Sequence, residues 1–192
     1  QEEHSGVCVA ACMNNEELGS STTQGADGDF LATVLKRIAY ALRCDDNEYY
    51  KALANSFLLS CDNAHAVHPN HPEKYDADNR TFMNGGVVIK HNANQKYTTD
   101  GVSEAIFHQI CREANVPVQH FANRSDLPGG STLGNISGAH VSINTLDIGL
   151  AQLAMHSCYE TAAVADAISL EEAMTAFYGH SLTVRGEEFT LA

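Results

Sequence analysis

Short apolar segments with the composition of strands alternate along this chain with segments whose apolar residues recur at helical spacing. The strand-like segments are residues 6–13, 56–61, 86–91, 116–122 and 140–149, and the helix-like segments are 24–43, 46–55, 98–116 and 157–180. This alternation is typical of an α/β domain, in which a mostly parallel or mixed sheet carries helices on both faces. A chain of 192 residues is long enough for one such domain with a real core.

Carboxylates and a histidine lie just beyond several of the predicted strands. Glu16 and Glu17 follow the first strand, Asp62 directly follows the second, and His156 lies in a loop after the last apolar run. Active sites of α/β proteins gather at strand ends, where residues from separate segments meet. The polar segment 63–86 has no periodicity, and loops of that length are usually functional or disordered. The sequence therefore predicts a functional site at one edge of the sheet.

Each of these residues also has an ordinary structural interpretation. Adjacent glutamates are common in solvated turns, and a single histidine after an apolar run is more often packed or part of a helix cap. Asp62, His65 and His68 are spaced three residues apart, and carboxylate and imidazole both suit zinc. The same segment is equally compatible with a hydrophilic surface loop. Residue types and spacing alone leave both interpretations open.

The composition argues against several classes of partner. The formal net charge of -13 disfavours nucleic acid and anionic membranes, because both require a basic surface. No apolar run approaches the length of a membrane-spanning helix, and residues 1–4 lack the basic and apolar regions of a signal peptide. The 6 cysteines form no CxxC pair, which indicates reduced thiols. We expect a cytoplasmic protein with no nucleic-acid or membrane partner.

Four segments carry a more specific signal, because they resemble successive blocks of one family in that family's order. They read NNEELGSSTTQGA (14–26), SCDNAHAVHPNHPEKYDADNR (60–80), GVVIKHNANQKYTTDG (86–101) and LDIGLAQLAMHSCYE (146–160). The family is M18, the aspartyl aminopeptidases. The resemblance implies a three-layer α/β/α sandwich with a mixed, mostly parallel sheet, as in zinc exopeptidases. It also implies release of N-terminal aspartate or glutamate from peptides by a metal-activated water.

The resemblance assigns roles to individual residues of this chain. It implies that Glu16 is the general base, and that Glu17, Asp62 and His156 are metal ligands. It further implies a substrate site lined by three residues, of which the lysine would attract an acidic side chain: His65, Lys90 and Tyr97. Adjacent glutamates point in different directions, so one can bind metal while the other stays free to carry protons. Two divalent ions are implied, with zinc first and manganese or cobalt as alternatives that suit the same ligands.

The resemblance covers only part of the family's pattern. Residues 1–192 match the C-terminal part of the metallo-aminopeptidase catalytic domain, whereas the first metal-binding histidine, the metal-bridging aspartate and an inserted oligomerisation domain have no match. We expect activity to need the missing N-terminal half as a partner. The resemblance implies a homo-oligomer, in the family a dodecamer. The alternatives are a catalytically incomplete fragment that serves as a binding or assembly subunit, and an unrelated α/β metal-binding module.

Overall fold

The computed structural model describes residues 6–185 and 188–191, so residues 1–5 lie outside the described part. The helices are α1 (Phe30–Ala41), α2 (Asp46–Ala54), α3 (Gly101–Glu113), α4 (Leu133–Gly138) and α5 (Val164–Gly179). The strands are β1 (Phe57–Cys61), β2 (Ala64–His65), β3 (Val87–His91), β4 (Val118–Ala122), β5 (Asn144–Gly149), β6 (Ala151–Leu153), β7 (Thr161–Ala162), β8 (Leu182–Arg185) and β9 (Glu188–Leu191).

A four-stranded mixed sheet forms the centre of the fold, in the order β1-β5-β3-β4. The pairs β1–β5 and β3–β4 are parallel, and β3–β5 is antiparallel. The mixed, mostly parallel sheet predicted from the sequence is therefore confirmed. Three smaller strands form a second sheet in the order β2-β6-β7, and β8 and β9 form a hairpin.

One face of the central sheet is covered by α3 and α5, which also pack against each other. Side chains alternate between the two faces of a strand, so Val87 and Ile89 of β3 and Leu146 of β5 point to the same side. They form a buried cluster with Phe107 of α3 and Ala173 of α5, all of them fully shielded from solvent. Burial of these large apolar side chains is the main force that holds this face together.

The other face of the sheet is covered by α4 and by the small sheet. Helix α4 packs on β1 and β5, and Val88 and Phe121 of the central sheet pack with Ala64 and Ala151 of the small sheet. The two faces thus complete the three-layer arrangement expected from the sequence. A third cluster joins α1 and α2 through Leu31, Tyr49 and neighbouring residues. None of the helices in the described ranges is long and apolar enough to cross a membrane.

The segment 6–13 corrects one sequence prediction. It is irregular rather than a strand, and Val7 is 59% exposed. A strand needs a neighbour that accepts its backbone hydrogen bonds, and no described strand pairs with this segment. Residues 6–13 therefore have the apolar composition of a strand but lack the backbone pairing with a neighbouring strand in the described part of the chain.

Helix starts were predicted well where a cap is present and poorly elsewhere. Asp100 caps α3 as predicted, because its carboxylate accepts hydrogen bonds from the backbone N–H groups of Val102 and Ser103. Helix α1 begins at Phe30 rather than at residue 24, since the preceding residues form turns around Gly25 and Gly28. A Cβ at Gly25 would lie 2.0 Å from the carbonyl oxygen of Ser20. The chain therefore folds back on Ser20 at this point, and only glycine leaves room for the contact.

The C-terminal ends of α3 and α5 are joined by His180. Its Nε2 donates to a carboxylate oxygen of Glu113 at 2.9 Å, and its Nδ1 donates to the carbonyl oxygen of Ala176 at 2.7 Å. Both ring nitrogens donate only when the imidazole is charged. The Ala176 carbonyl and the Glu113 carboxylate accordingly raise the pKa of His180 above 6.5. Hydrogen bonds from Gln109 and His180 lower the pKa of Glu113 below 4.5.

We predict a pH-dependent loss of stability for His180→Gln. The histidine contribution is fully present below pH 6.5 and is lost as pH rises through the raised folded pKa. The carboxylate contribution is present above pH 4.5 and is lost as pH falls through the lowered folded pKa. The cost should be small, because the pair is partly exposed. It should be larger near pH 5.5 than near pH 8.5, because the imidazole loses its charge as pH rises through its folded pKa. Urea denaturation at both pH values measures it, and an equal cost at both would contradict the assignment.

Candidate functional site

A cleft of about 390 Å³ opens where β1 and β5 end, with Lys90 of β3 in its lining. It gathers residues from segments far apart in the chain, as expected where parallel strands end. All seven site residues predicted from the sequence line this cleft: Glu16, Glu17, Asp62, His65, Lys90, Tyr97 and His156. The structure therefore brings the predicted residues into one place.

The two glutamates lie on a single 3₁₀ turn, Glu16–Leu18. Asn15 before the turn has φ of 59° and Gly19 after it has φ of 92°, so left-handed residues bound it on both sides. Left-handed backbone is costly for most residues and is tolerated best by glycine and asparagine. The tight turn holds both side chains at the cleft.

Glu17 and His156 are direct neighbours in the cleft. Oε2 of Glu17 lies 2.5 Å from Nδ1 of His156, and this hydrogen bond raises the pKa of His156. The candidate ligand atoms of Glu16, Glu17 and His156 all lie within 4.8 Å of one another. A set of two carboxylates and one imidazole suits zinc and related divalent ions. The residues present thus fit a metal ion.

The backbone of His156 has an unusual conformation that is held in place locally. Its φ is 64°, in the left-handed region that non-glycine residues seldom adopt. The backbone N–H of His156 donates to Oε1 of Glu160 at 2.7 Å. Strained residues of this kind persist where the surrounding structure holds them, and they cluster at functional sites.

Asp62 enters the cleft from the end of β1. Its backbone N–H donates to the carbonyl oxygen of Ile148 at 2.9 Å, which extends the β1–β5 pairing by one residue. Gly149 allows the two chains to approach, because a Cβ there would lie 2.1 Å from the Asp62 carbonyl oxygen. Asp62 stands outside the 4.8 Å group formed by Glu16, Glu17 and His156 among the described residues. The alternative set of Asp62, His65 and His68 is not brought together as such a group either.

Lys90 lies beside Asp62 at the base of the cleft, with 3% of its surface exposed. Its Nζ donates to the carbonyl oxygens of Asp62 at 3.2 Å and Asn63 at 2.9 Å. The same atom lies 3.6 Å from Oδ2 of Asp62 and 4.7 Å from the centre of the Tyr97 ring. Burial lowers the pKa of Lys90, although Asp62 and Asp147 act against that shift. The cleft therefore contains a shielded cation next to a candidate metal ligand.

The remaining predicted residues differ in their protonation. Burial, followed by the charges of Asp62 and Glu17, raises the pKa of Glu16. Burial and Lys90 lower the pKa of His65, so its imidazole favours the neutral form. Burial raises the pKa of Tyr97 to about 12, so its phenol keeps its proton at neutral pH. A raised pKa is what a carboxylate needs to accept a proton effectively near neutral pH.

Asp147 is a supporting residue that the sequence reasoning missed. It is fully buried in β5, and its Oδ2 accepts hydrogen bonds from the N–H of Thr98 at 2.6 Å and from the Thr98 hydroxyl at 2.7 Å. Its Oδ1 accepts from the hydroxyl of Thr132 at 2.7 Å. Thr98 adjoins Tyr97, and Thr132 lines the cleft. The sequence offered one signal for this role: Asp147 is a charged residue between two apolar residues of a core strand, Leu146 and Ile148.

Comparisons with known proteins agree with this geometry. The sequence model of the family described as aminopeptidase I zinc metalloprotease (M18) matches residues 1–178. The probable M18 family aminopeptidase 2 of Clostridium acetobutylicum is 48% identical over 170 residues, which cover 88% of this chain and 39% of that protein. The probable aspartyl aminopeptidase of Ricinus communis is 43% identical over 177 residues, covering 92% of this chain and 36% of that protein.

A solved structure shows the same relationship in three dimensions. The mApe1 dodecamer of S. cerevisiae superposes with a TM-score of 0.76 at 30% identity, covering 88% of this chain and 37% of that chain. This chain therefore spans about two fifths of the length of the proteins that it matches.

Proposed function

Because the chain belongs to the M18 family of zinc metalloproteases, we propose that it forms part of a metallo-aminopeptidase that releases N-terminal aspartate or glutamate from peptides. The observation that carries the proposal is the cleft, which gathers Glu16, Glu17, Asp62 and His156 beside the buried Lys90. The chain spans 39% of its Clostridium acetobutylicum relative. We therefore assign the activity to this chain together with a segment equivalent to the rest of that relative, which would supply further metal ligands.

We assign metal binding and proton transfer to different residues according to the positions of their side chains. Glu17 and His156 would hold one divalent ion and Asp62 a second, with zinc first and manganese or cobalt as alternatives. When bound, such ions polarise the scissile carbonyl and lower the pKa of water in the cleft. Glu16 accepts the proton from the attacking water and delivers it to the leaving amine. Its raised pKa and its place beside Glu17 favour that role.

The proposed preference for acidic residues depends on Lys90. A cation at the base of a partly dry cleft attracts a carboxylate more strongly than a cation in open water would. The name of the Ricinus communis relative, probable aspartyl aminopeptidase, supports the same preference. The dodecamer of the S. cerevisiae protein supports a homo-oligomer, and we propose that the complete enzyme assembles in the same way.

The experiment that tests the proposal joins this chain to the N-terminal segment of the Clostridium acetobutylicum relative, and we call the product the joined protein. We expect it to release p-nitroaniline from Asp and Glu p-nitroanilides faster than from the Leu compound. A chelator should abolish the activity and zinc should restore it. The chain alone should be inactive. A well-folded joined protein with no peptidase activity would favour the alternative, a binding or assembly subunit.

Lys90→Met should remove the acidic preference of the joined protein. We expect kcat/KM for the Asp substrate to fall by about 10- to 100-fold relative to the Leu substrate, because a hydrogen bond to a charged group is lost. The exposed Lys96 on the same segment provides the control, since Lys96→Met removes an equal charge outside the cleft lining. An unchanged ratio of Asp to Leu activity in Lys90→Met would contradict this role for Lys90.

A further inference from the structure

Three histidines and one glutamate form a second cluster on the face of the central sheet opposite the cleft. His91 ends β3, His120 lies in the adjacent parallel strand β4, and Glu104 and His108 lie one turn apart on α3. We call these four residues the histidine cluster. Side chains alternate along a strand, so His91 points to the same side as Ile89, toward α3. Lys90, the intervening residue, lies in the cleft.

The nitrogen and oxygen atoms of the cluster converge. Nε2 of His91 lies 3.3 Å from Nδ1 of His120. Oxygens of the Glu104 carboxylate lie 3.5 Å from Nδ1 of His120 and 3.8 Å from Nε2 of His91. All three candidate ligand atoms fall within 4.8 Å of one another. Two nitrogens bound to a tetrahedral zinc ion at about 2.0 Å lie roughly 3.3 Å apart. The spacing of the His91 and His120 nitrogens is thus that of zinc ligands, and the Glu104 oxygens lie slightly farther from them.

The fourth residue completes the arrangement. A metal-bound imidazole usually donates its other N–H to a neighbouring group, which fixes the orientation of the ring. His120 would bind through Nδ1, and its Nε2 lies 3.3 Å from Nε2 of His108. His108 is therefore placed to accept that hydrogen bond.

The surroundings of the cluster favour a cation. Glu104 forms ion pairs with His91, His108 and His120, and within residues 6–185 and 188–191 it has no lysine or arginine partner. The side chains of these four residues are between 27% and 38% exposed. A metal ion can therefore reach the ligands from solvent, and the fourth position can be taken by water. Imidazole and carboxylate ligands suit zinc and its neighbours rather than calcium or magnesium.

We propose that His91, Glu104 and His120 bind a divalent transition-metal ion of the zinc type, with His108 as the hydrogen-bond partner of His120. This site is separate from the cleft, because the two lie on opposite faces of the sheet. The ion would connect α3 to β3 and β4 and would not take part in peptide hydrolysis. It would therefore stabilise the packing of α3 against β3, the strand that carries Lys90 on its other face.

Equilibrium dialysis of the full chain against zinc tests the proposal. His91→Gln and His120→Gln should each bind about one zinc ion fewer per chain than the wild type. Glu104→Gln should weaken zinc binding at this site by at least about tenfold. The matched control is His140→Gln, which removes another partly exposed histidine with a carboxylate partner, Asp27 at 3.0 Å. The control should bind as much zinc as the wild type.

A second comparison separates this site from the cleft. His156→Gln, which alters the cleft, should keep the zinc bound by the histidine cluster, and cobalt in its place should show the visible absorption of a tetrahedral ion. Adding His91→Gln to the His156→Gln variant should remove that absorption. Far-UV circular dichroism confirms that each variant is folded, and Glu104→Gln provides an independent test if a histidine variant is not. Zinc binding by folded His91→Gln, His120→Gln and Glu104→Gln equal to that of the wild type would overturn the proposal.

Discussion

Glu16→Gln is expected to reduce kcat of the joined protein by about 100- to 10,000-fold, the range attributed to general acid–base catalysis. Glutamine has nearly the same shape as glutamate but accepts no proton at neutral pH. The neighbouring ligand pair Glu17 and His156 remains intact in this variant, with its contact of 2.5 Å. Zinc content and KM should therefore change little while kcat falls.

The matched control for this variant is Glu17→Gln on the same turn. It removes one of the proposed metal ligands, so it should lower zinc content as well as activity. Steady-state kinetics and metal analysis of the two variants distinguish proton transfer from metal binding. If Glu16→Gln kept more than about a tenth of the wild-type kcat, Glu16 would not be the general base.

Asp147→Ala is expected to destabilise the chain by about 3 kcal/mol, since buried groups that lose their partner each cost about 1 to 3 kcal/mol. Thr98 would lose the acceptor of its N–H and of its hydroxyl, and Thr132 would lose the acceptor of its hydroxyl. Asp147 is 0% exposed, so water reaches these groups only if the structure opens. Helix α4 would also shift, because Gly134 packs directly on this carboxylate.

Urea denaturation followed by circular dichroism measures the effect of Asp147→Ala. The control is Thr132→Val, which removes one of the hydrogen bonds and should cost about 1 kcal/mol. Equal stability of Asp147→Ala and the wild type would show that Asp147 is not a supporting residue of the cleft. A larger cost for Asp147→Ala than for Thr132→Val would show that the carboxylate stabilises Thr98 as well as Thr132.

The layered fold could be predicted because its main elements follow from local patterns. Strand β3 begins with three apolar residues, Val87–Ile89, that are buried on both faces, and α3 combines helical spacing with a capping aspartate at Asp100. The small sheet could not be predicted in the same way. Strand β2 has only the residues Ala64–His65, too short for any periodicity, and its pairing with β6 depends on contacts distant in sequence.

The candidate site was predictable to the extent that its residues lie in blocks that resemble a family, with Asp62 directly after strand β1. Glu16, Asp62 and His156 carried that signal, and the structure brings them to one cleft. Asp147 was harder to predict. The role of this buried carboxylate depends on hydrogen bonds from Thr98 and Thr132, which are distant in sequence. The hydrogen bonds of the Lys90 ammonium to backbone carbonyls are likewise a property of the folded chain.

We propose that the cleft holds divalent metal through Glu17 and His156 on one side and Asp62 on the other. Anomalous diffraction at the zinc absorption edge, from crystals of the joined protein grown with zinc, tests it most directly. We expect anomalous density in the cleft in contact with all three side chains. Crystals of a joined protein that is active on Asp p-nitroanilide, yet has no zinc against these residues, would contradict it.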